Sequence, residues 1–265
     1  MIDFIITRHA ISCNNAKKGF FFGRDRSPSL TGLGIDQTLH LSLKKTNIYG
    51  YTNKIVVSSL IRTWQTAFLL YGKRQKKIKL YIFPHLREKC YNIGKIKIDS
   101  YGNKPNIFEH DILLFEKFVN HVKKKLVNFN CQTVEFYYLD MHTTKFNLLC
   151  SMQVSKNYNL ITENVCLWNQ QRLNPPYLNG DIDMFLKYIE DIVKDKKKIH
   201  VVAHSRLMSS WANKNVKNFI KPSTNLWSIS VDSNKVTVST PFEYFINVHS
   251  VFGDTFDLCG YCLKS

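Results

Sequence analysis

Ile2-Asp3-Phe4-Ile5-Ile6-Thr7-Arg8-His9 is an apolar run that stops on an arginine and a histidine. Much later, Ile199-His200-Val201-Val202-Ala203 is a second such run, and it stops on His204. Short, nearly continuous apolar runs suit strands buried on both faces, where helices cover both sides of a parallel sheet. Open α/β sheets place their chemistry just past the carboxyl ends of their strands. Two histidines at two strand ends, the first with an arginine beside it, therefore read as a phosphoryl-handling pocket.

The rest of the chain is consistent with such a sheet. A helix can start near Ser29–Thr31, with Ile35, Leu39 and Leu43 repeating along one face. Lys54–Val57 reads as a second strand. Ser58 or Ser59 can cap the next helix, whose apolar face is Leu60, Trp64, Ala67, Phe68 and Tyr71, and Gly72 ends it. Ile78–Phe83 reads as a third strand, stopped by Pro84. Ile199–Ala203 is then the fourth, followed by a helix from about Arg206 to Lys217. Leu226–Val231 and Lys235–Thr240 alternate around Asp232-Ser233-Asn234, which signals a hairpin. The stretch 95–198 interrupts the alternation. Phe108, Ile112, Phe115, Val119, Val122 and Leu126 repeat at helical spacing, Val134–Leu139 reads as a strand, and Asp181 can cap a helix over Ile182, Phe185, Leu186, Ile189 and Ile192. The expectation is a three-layer α/β/α fold with a mostly parallel central sheet and a C-terminal hairpin. Residues 1–265 would form one domain, with 95–198 a helical insertion between strands three and four.

Composition narrows the class. Apolar residues make up 44% and aromatics 13% of the 265 residues, which is a folding chain. No apolar stretch approaches the roughly 20 residues of a membrane helix, so no membrane partner is expected. The first residues lack the basic start and long apolar run of a signal peptide. Seven scattered cysteines do not resemble a disulfide framework. The expectation is a soluble cytoplasmic protein with reduced thiols. The formal charge of +17 suits an anionic substrate. Abundant Lys, Asn and Ile also point to compositional drift. Lys73–Lys77, Lys123–Lys125 and Lys194–Lys198 are not interleaved with aromatics, so nucleic acid is a disfavoured partner. Cys259-Gly260-Tyr261-Cys262 has metal-knuckle spacing but lacks a second ligand pair nearby.

Four strand ends deliver the candidate site. The first gives Arg8 and His9, the second Arg62, the third Glu88 within Leu86-Arg87-Glu88, and the fourth His204. Taken in order, these segments resemble the histidine phosphatase superfamily, also called phosphoglycerate-mutase-like. Thr7-Arg8-His9-Ala10 with Asn15 is similar to its opening motif. Ser27-Pro28-Ser29-Leu30-Thr31-Gly32-Leu33-Gly34-Ile35-Asp36-Gln37 resembles its Pro-Leu-Thr-x-x-Gly-x-x-Gln segment. Ser58-Ser59-Leu60-Ile61-Arg62-Thr63-Trp64-Gln65-Thr66-Ala67 resembles its Ser-Ser-x-x-x-Arg-x-x-Gln-Thr-Ala. Leu86-Arg87-Glu88 and Val202-Ala203-His204-Ser205 complete the set. The resemblance covers residues 2–94 and 199–240, not the insertion.

That resemblance implies a metal-independent phosphomonoester hydrolase without a cofactor. His9 would be the nucleophile, held by a backbone carbonyl at its other ring nitrogen. Arg8, Arg62 and His204 would hold the phosphoryl oxygens, and Asn15 would add a neutral donor. Glu88 would act as acid and then base. The partner would be a small phosphorylated substrate; oligomeric state is open. The family's glycines after both histidines are Ala10 and Ser205 here. Ala10 would be strained by about 1 kcal/mol or more if that position needed positive φ, and Ser205 could add a hydroxyl donor. A mutase is the alternative, but Gly19, Lys89, Cys90 and Asn92 depart from the mutase pattern, which favours the phosphatase. The second alternative is a weak or inactive phosphatase-fold protein that binds polyanions.

Overall fold

The computed structural model describes residues 3–16, 28–43, 55–88, 92–93, 96–97, 107–125, 129–140, 145–154, 160–163, 181–192, 199–232 and 235–239. The loop ahead of Pro28, Lys89 and Cys90, the run Lys194–Lys198 and the Cys259–Cys262 segment lie outside them.

β1 (Phe4–Arg8) and β9 (Ile199–Ala203) are the two runs quoted first. β9 is buried at every residue. They pair in parallel, Phe4 with Ile199 through Arg8 with Ala203. β2 (Ile55–Val57) pairs with the other edge of β9, β3 (Lys77–Ile82) with β2, and β6 (Thr133–Asp140) with β3, all in parallel. Antiparallel strands complete both sides of this parallel core. β10 (Ser228–Asp232) and β11 (Lys235–Ser239) flank β1, while β7 (Lys145–Val154) and β8 (Leu160–Glu163) extend beyond β6. The order is β11-β10-β1-β9-β2-β3-β6-β7-β8. A separate two-stranded ribbon joins β4 (Asn92–Ile93) to β5 (Ile96–Lys97).

Helices cover both faces. On one lie α2 (Gly32–Leu43), α3 (Ile61–Tyr71) and α4 (Ile107–Lys125), over Ile55, Val57, Ile78, Leu80, Val134 and Phe136. On the other lie α5 (Ile182–Ile192) and α6 (Ser205–Asn215), packed on Phe4, Ile6, Val56, Val201 and Ile229. The three-layer expectation holds. α3 is buried along its whole length, and its Trp64 and Phe68 meet Phe115 of α4 edge-on at 6.4 and 5.8 Å. Removing either ring would destabilise by about 3–5 kcal/mol. The stretch 95–198 carries the two helices its periodicity predicts, and it also adds β6, β7 and β8 to the main sheet. Its crossover from β3 through α4 to β6 continues the alternation of the first part.

Asp181 caps α5 as expected, its Oδ1 accepting from the backbone of Asp183 and Met184. The cap expected at α3 differs. Leu60 occupies the N-cap without a side-chain bond, because the Ser58 hydroxyl accepts from the Leu60 amide inside the preceding turn. Cysteine chemistry also corrects an expectation. Cys13 is disulfide-bonded. Scattered spacing carries no pairing information, so the bond was not legible. Buried Cys131 and Cys150 are free, and burial pushes both thiols up to about 12. Among the described residues no helix is long and apolar enough to cross a membrane.

Candidate active site

The parallel register of β1 and β9 brings the residues after Arg8 and Ala203 to one end of the sheet. The His9 and His204 rings lie there edge to face, 5.1 Å apart. Both are buried. Arg62 reaches them from the first turn of α3, and its Nε donates to His9 Nε2 at 3.1 Å. His9 Nδ1 is 2.7 Å from the Ala10 carbonyl and donates to it. That bond places the ring proton on Nδ1 and leaves Nε2 with its lone pair.

The loop carrying His9 is fixed from four directions. His9 N donates to Ala203 O, and Ala10 N to Thr66 Oγ1. Thr31 N donates to Ile11 O, and Cys13 N to Ser29 O. Gln65 links the same region, accepting from Leu30 N and donating to Ser29 Oγ. Thus Thr31, Gln65 and Thr66, quoted for the resemblance, act as struts. Gly34 has a steric reason. A Cβ there would sit 2.4 Å from the Ile11 carbonyl oxygen, so α2 can approach the loop only with glycine. Ala10 does not have positive φ: among the described non-glycine residues only Asn218 and Leu226 do. The strain expected of Ala10 therefore does not arise.

Arg8 lies beside Arg62 and Glu88, and its Nη1 donates to Thr224 O at 3.0 Å. Burial pulls the guanidinium down to about 10, opposed by Glu88 and assisted by Arg62. Glu88 follows β3 after a short 3-10 turn, Pro84–Leu86. Its Oε2 is 4.0 Å from His204 Nδ1 and its Oε1 accepts from Arg206 N in the first turn of α6. Arg87, not among the candidates, is buried and adds positive charge near His204. Burial, then the Arg62 charge, holds the His9 imidazole well below the ordinary histidine range, and His204 likewise. Burial and the arginine charges thus favour the neutral form of both rings. Asn15 stands apart from these contacts, exposed on α1 (Cys13–Ala16), its Oδ1 accepting from Ser12 N and Oγ. Ser205 is buried at the start of α6, and its hydroxyl has no hydrogen-bond partner among the described residues.

One atom each from His9, Glu88 and His204 lie within 4.8 Å of one another, close enough to share a metal ion. The charges favour the opposite sign of guest. The arginines that disfavour a proton on either ring disfavour a cation equally. Arg8, Arg62, neutral donors and the helix start at Ser205 suit a compact oxyanion.

No protein-family model and no curated protein sequence matches this chain. Solved structures do. The chain is similar to alpha-ribazole phosphatase from Shigella flexneri, at 14% identity and a TM-score of 0.46, over 90% of this chain and 95% of that one. It is similar to phosphoglycerate mutase from Bacillus anthracis, at 17% and 0.45, over 99% and 96%. Phosphoglycerate mutase from Thermus thermophilus gives 12% and 0.41, over 89% and 97%. These structures are members of the histidine phosphatase superfamily.

Proposed function

We propose that this chain is a metal-independent phosphomonoester hydrolase of the histidine phosphatase kind, acting through a phosphohistidine on His9. The observation that supports it most is the state of His9: Nδ1 donates to the Ala10 carbonyl, and Nε2 faces Arg62 with its lone pair available. In the structure the Arg62 Nε proton is directed at that lone pair. A phosphate monoester brings oxygens that bind the guanidinium better than a neutral ring does, and this frees Nε2 for in-line attack.

The Nε2–P bond then forms as the ester O–P bond breaks, and Glu88 gives its proton to the leaving oxygen. Arg8 and Arg62 balance the charge on the non-bridging oxygens, and neutral His204 donates a hydrogen bond to one of them. Water next attacks phosphorus, Glu88 takes its proton, and the N–P bond breaks to release phosphate. Splitting one displacement into two avoids bringing water and ester together in a single step. Asn15 has no role in this sequence unless its side chain turns away from Ser12. Hydrolysis is preferred over mutase chemistry because Gly19, Lys89, Cys90 and Asn92 replace residues that would hold a mutase substrate. The substrate is a small phosphorylated molecule.

Purified protein should cleave a generic aryl phosphate in excess chelator, and His9→Ala should abolish cleavage. Activity that survives His9→Ala removes His9 as nucleophile. Phosphoryl exchange between phosphoglycerates that outpaces phosphate release would favour the mutase reading. No turnover, together with salt-sensitive polyanion binding, would favour the inactive scaffold.

A further inference from the structure

Ser58 lies between β2 and α3, fully buried behind His204. Its Oγ is 2.7 Å from His204 Nε2. Two other contacts fix this hydroxyl's role, and a third holds the residue's backbone. The Leu60 amide donates to Ser58 Oγ at 3.1 Å, which occupies one lone pair. Thr63 Oγ1, 3.3 Å away, gives its own proton to Leu60 O at 2.7 Å, so it offers Ser58 no proton. Trp64 Nε1 donates to Ser58 O at 2.7 Å and anchors the residue. A hydroxyl has one proton, and the nearest acceptor for it is His204 Nε2.

The far side of the ring supports the same assignment. His204 Nδ1 faces the pocket, 4.0 Å from the Glu88 carboxylate. It has no hydrogen-bond partner among the described residues. A bare lone pair there would face another acceptor; an N–H would face a guest it can bind. In a neutral imidazole, the bond made at one nitrogen decides what the other carries.

We propose that Ser58 is a positioning residue: its hydroxyl donates to His204 Nε2 and so holds neutral His204 as the Nδ1–H tautomer, a ready donor to an oxyanion in the site. His204 can then hold a phosphoryl oxygen without first gaining a proton. The serine-and-carbonyl arrangement makes the two histidines complementary. Both rings carry their proton on Nδ1, but His9 turns that proton to the backbone and its lone pair to the site, whereas His204 turns its proton to the site. This inference deepens the proposed activity and relies on it for its purpose, but not for its test.

The test is nitrogen-15 NMR of the histidine rings in the ligand-free protein at pH 7, which needs no turnover. The expected result is His204 with protonated Nδ1 and bare Nε2. Ser58→Ala should convert His204 to the other tautomer or a mixture while His9 keeps its signals, and should lower kcat/KM for an aryl phosphate by roughly 10–100-fold, as loss of an orienting partner typically does. Ser58→Thr keeps the hydroxyl and should keep the tautomer. Wild-type His204 protonated on Nε2 overturns the proposal, even in an active phosphatase. A His204 tautomer unchanged in Ser58→Ala also overturns it. The expected tautomers in a protein that hydrolyses nothing would instead overturn the proposed function and leave the Ser58 assignment intact.

Discussion

Arg62→Lys separates charge from geometry at the site. Arg62 is 4% exposed, and its Nε is 3.1 Å from His9 Nε2. Lysine keeps the positive charge but loses the planar fork, so it cannot hold two phosphoryl oxygens in parallel. It replaces several fixed donors with one flexible ammonium. Losing one charge-assisted hydrogen bond in the transition state costs about 1.5–3 kcal/mol. At about 1.4 kcal/mol per tenfold, that is roughly a 10–150-fold drop in kcat/KM. The drop should fall mainly on kcat if the fork tightens as charge develops. Steady-state kinetics on an aryl phosphate measure it, with circular dichroism and thermal melting showing that the fold persists. A variant within about threefold of wild type would show that only charge is needed at this position, and the fork argument would be wrong.

Other consequences can be checked alongside. Gly34→Ala places a methyl against the Ile11 carbonyl oxygen; a backbone shift costing about 1–3 kcal/mol is expected, visible as a lower melting temperature and a slower enzyme, and an unchanged melt would contradict the steric reading. Burial takes the His200 imidazole down to about 3, where it is wedged between Tyr71 and Thr7. The unfolded chain therefore binds a proton that the folded one refuses between pH about 6.5 and 3. Stability is full above that window and falls as pH drops through it, by about 1.4 kcal/mol per pH unit for each such histidine. Denaturant titrations at pH 7 and pH 5 should show this, and His200→Gln should flatten the trend by one proton's worth; a slope unaffected by that change would contradict the burial account. Inorganic phosphate should raise the melting temperature through mass action, and Arg8→Ala combined with Arg62→Ala should remove the rise.

The legible parts of this protein were those with a local physical signal. β1 and β9 are apolar at nearly every position because both faces are covered, and such runs survive without context. α3 and α4 declare themselves by period. His9, Arg62, Glu88 and His204 sit at or just beyond strand ends, where open sheets gather function, and the structure brings them together. What escaped depends on partners distant in sequence. β7 is a long antiparallel strand with Lys145 and Asn147 exposed, and no periodic signature in its sequence marks its pairing with β6. Ser58 has the spacing of a helix cap, yet its hydroxyl serves His204, 146 residues away. Arg87 reads as a solvated turn residue beside Glu88 and Lys89, and only the packing around it shows it buried. Ala10 read as a strained replacement for glycine because φ at one position is set by its neighbours: here the bonds to Ala203 and Thr66 hold the loop without positive φ.

The central claim is covalent phosphorylation of one imidazole. Rapid mixing of the protein with an isotopically labelled phosphate monoester, followed by quenching in base and peptide mapping, tests it most directly. The account predicts base-stable, acid-labile label on the peptide containing His9, absent from His9→Ala and longer-lived in Glu88→Gln. Turnover in wild type with no label on any histidine, or label that persists in His9→Ala, would contradict it.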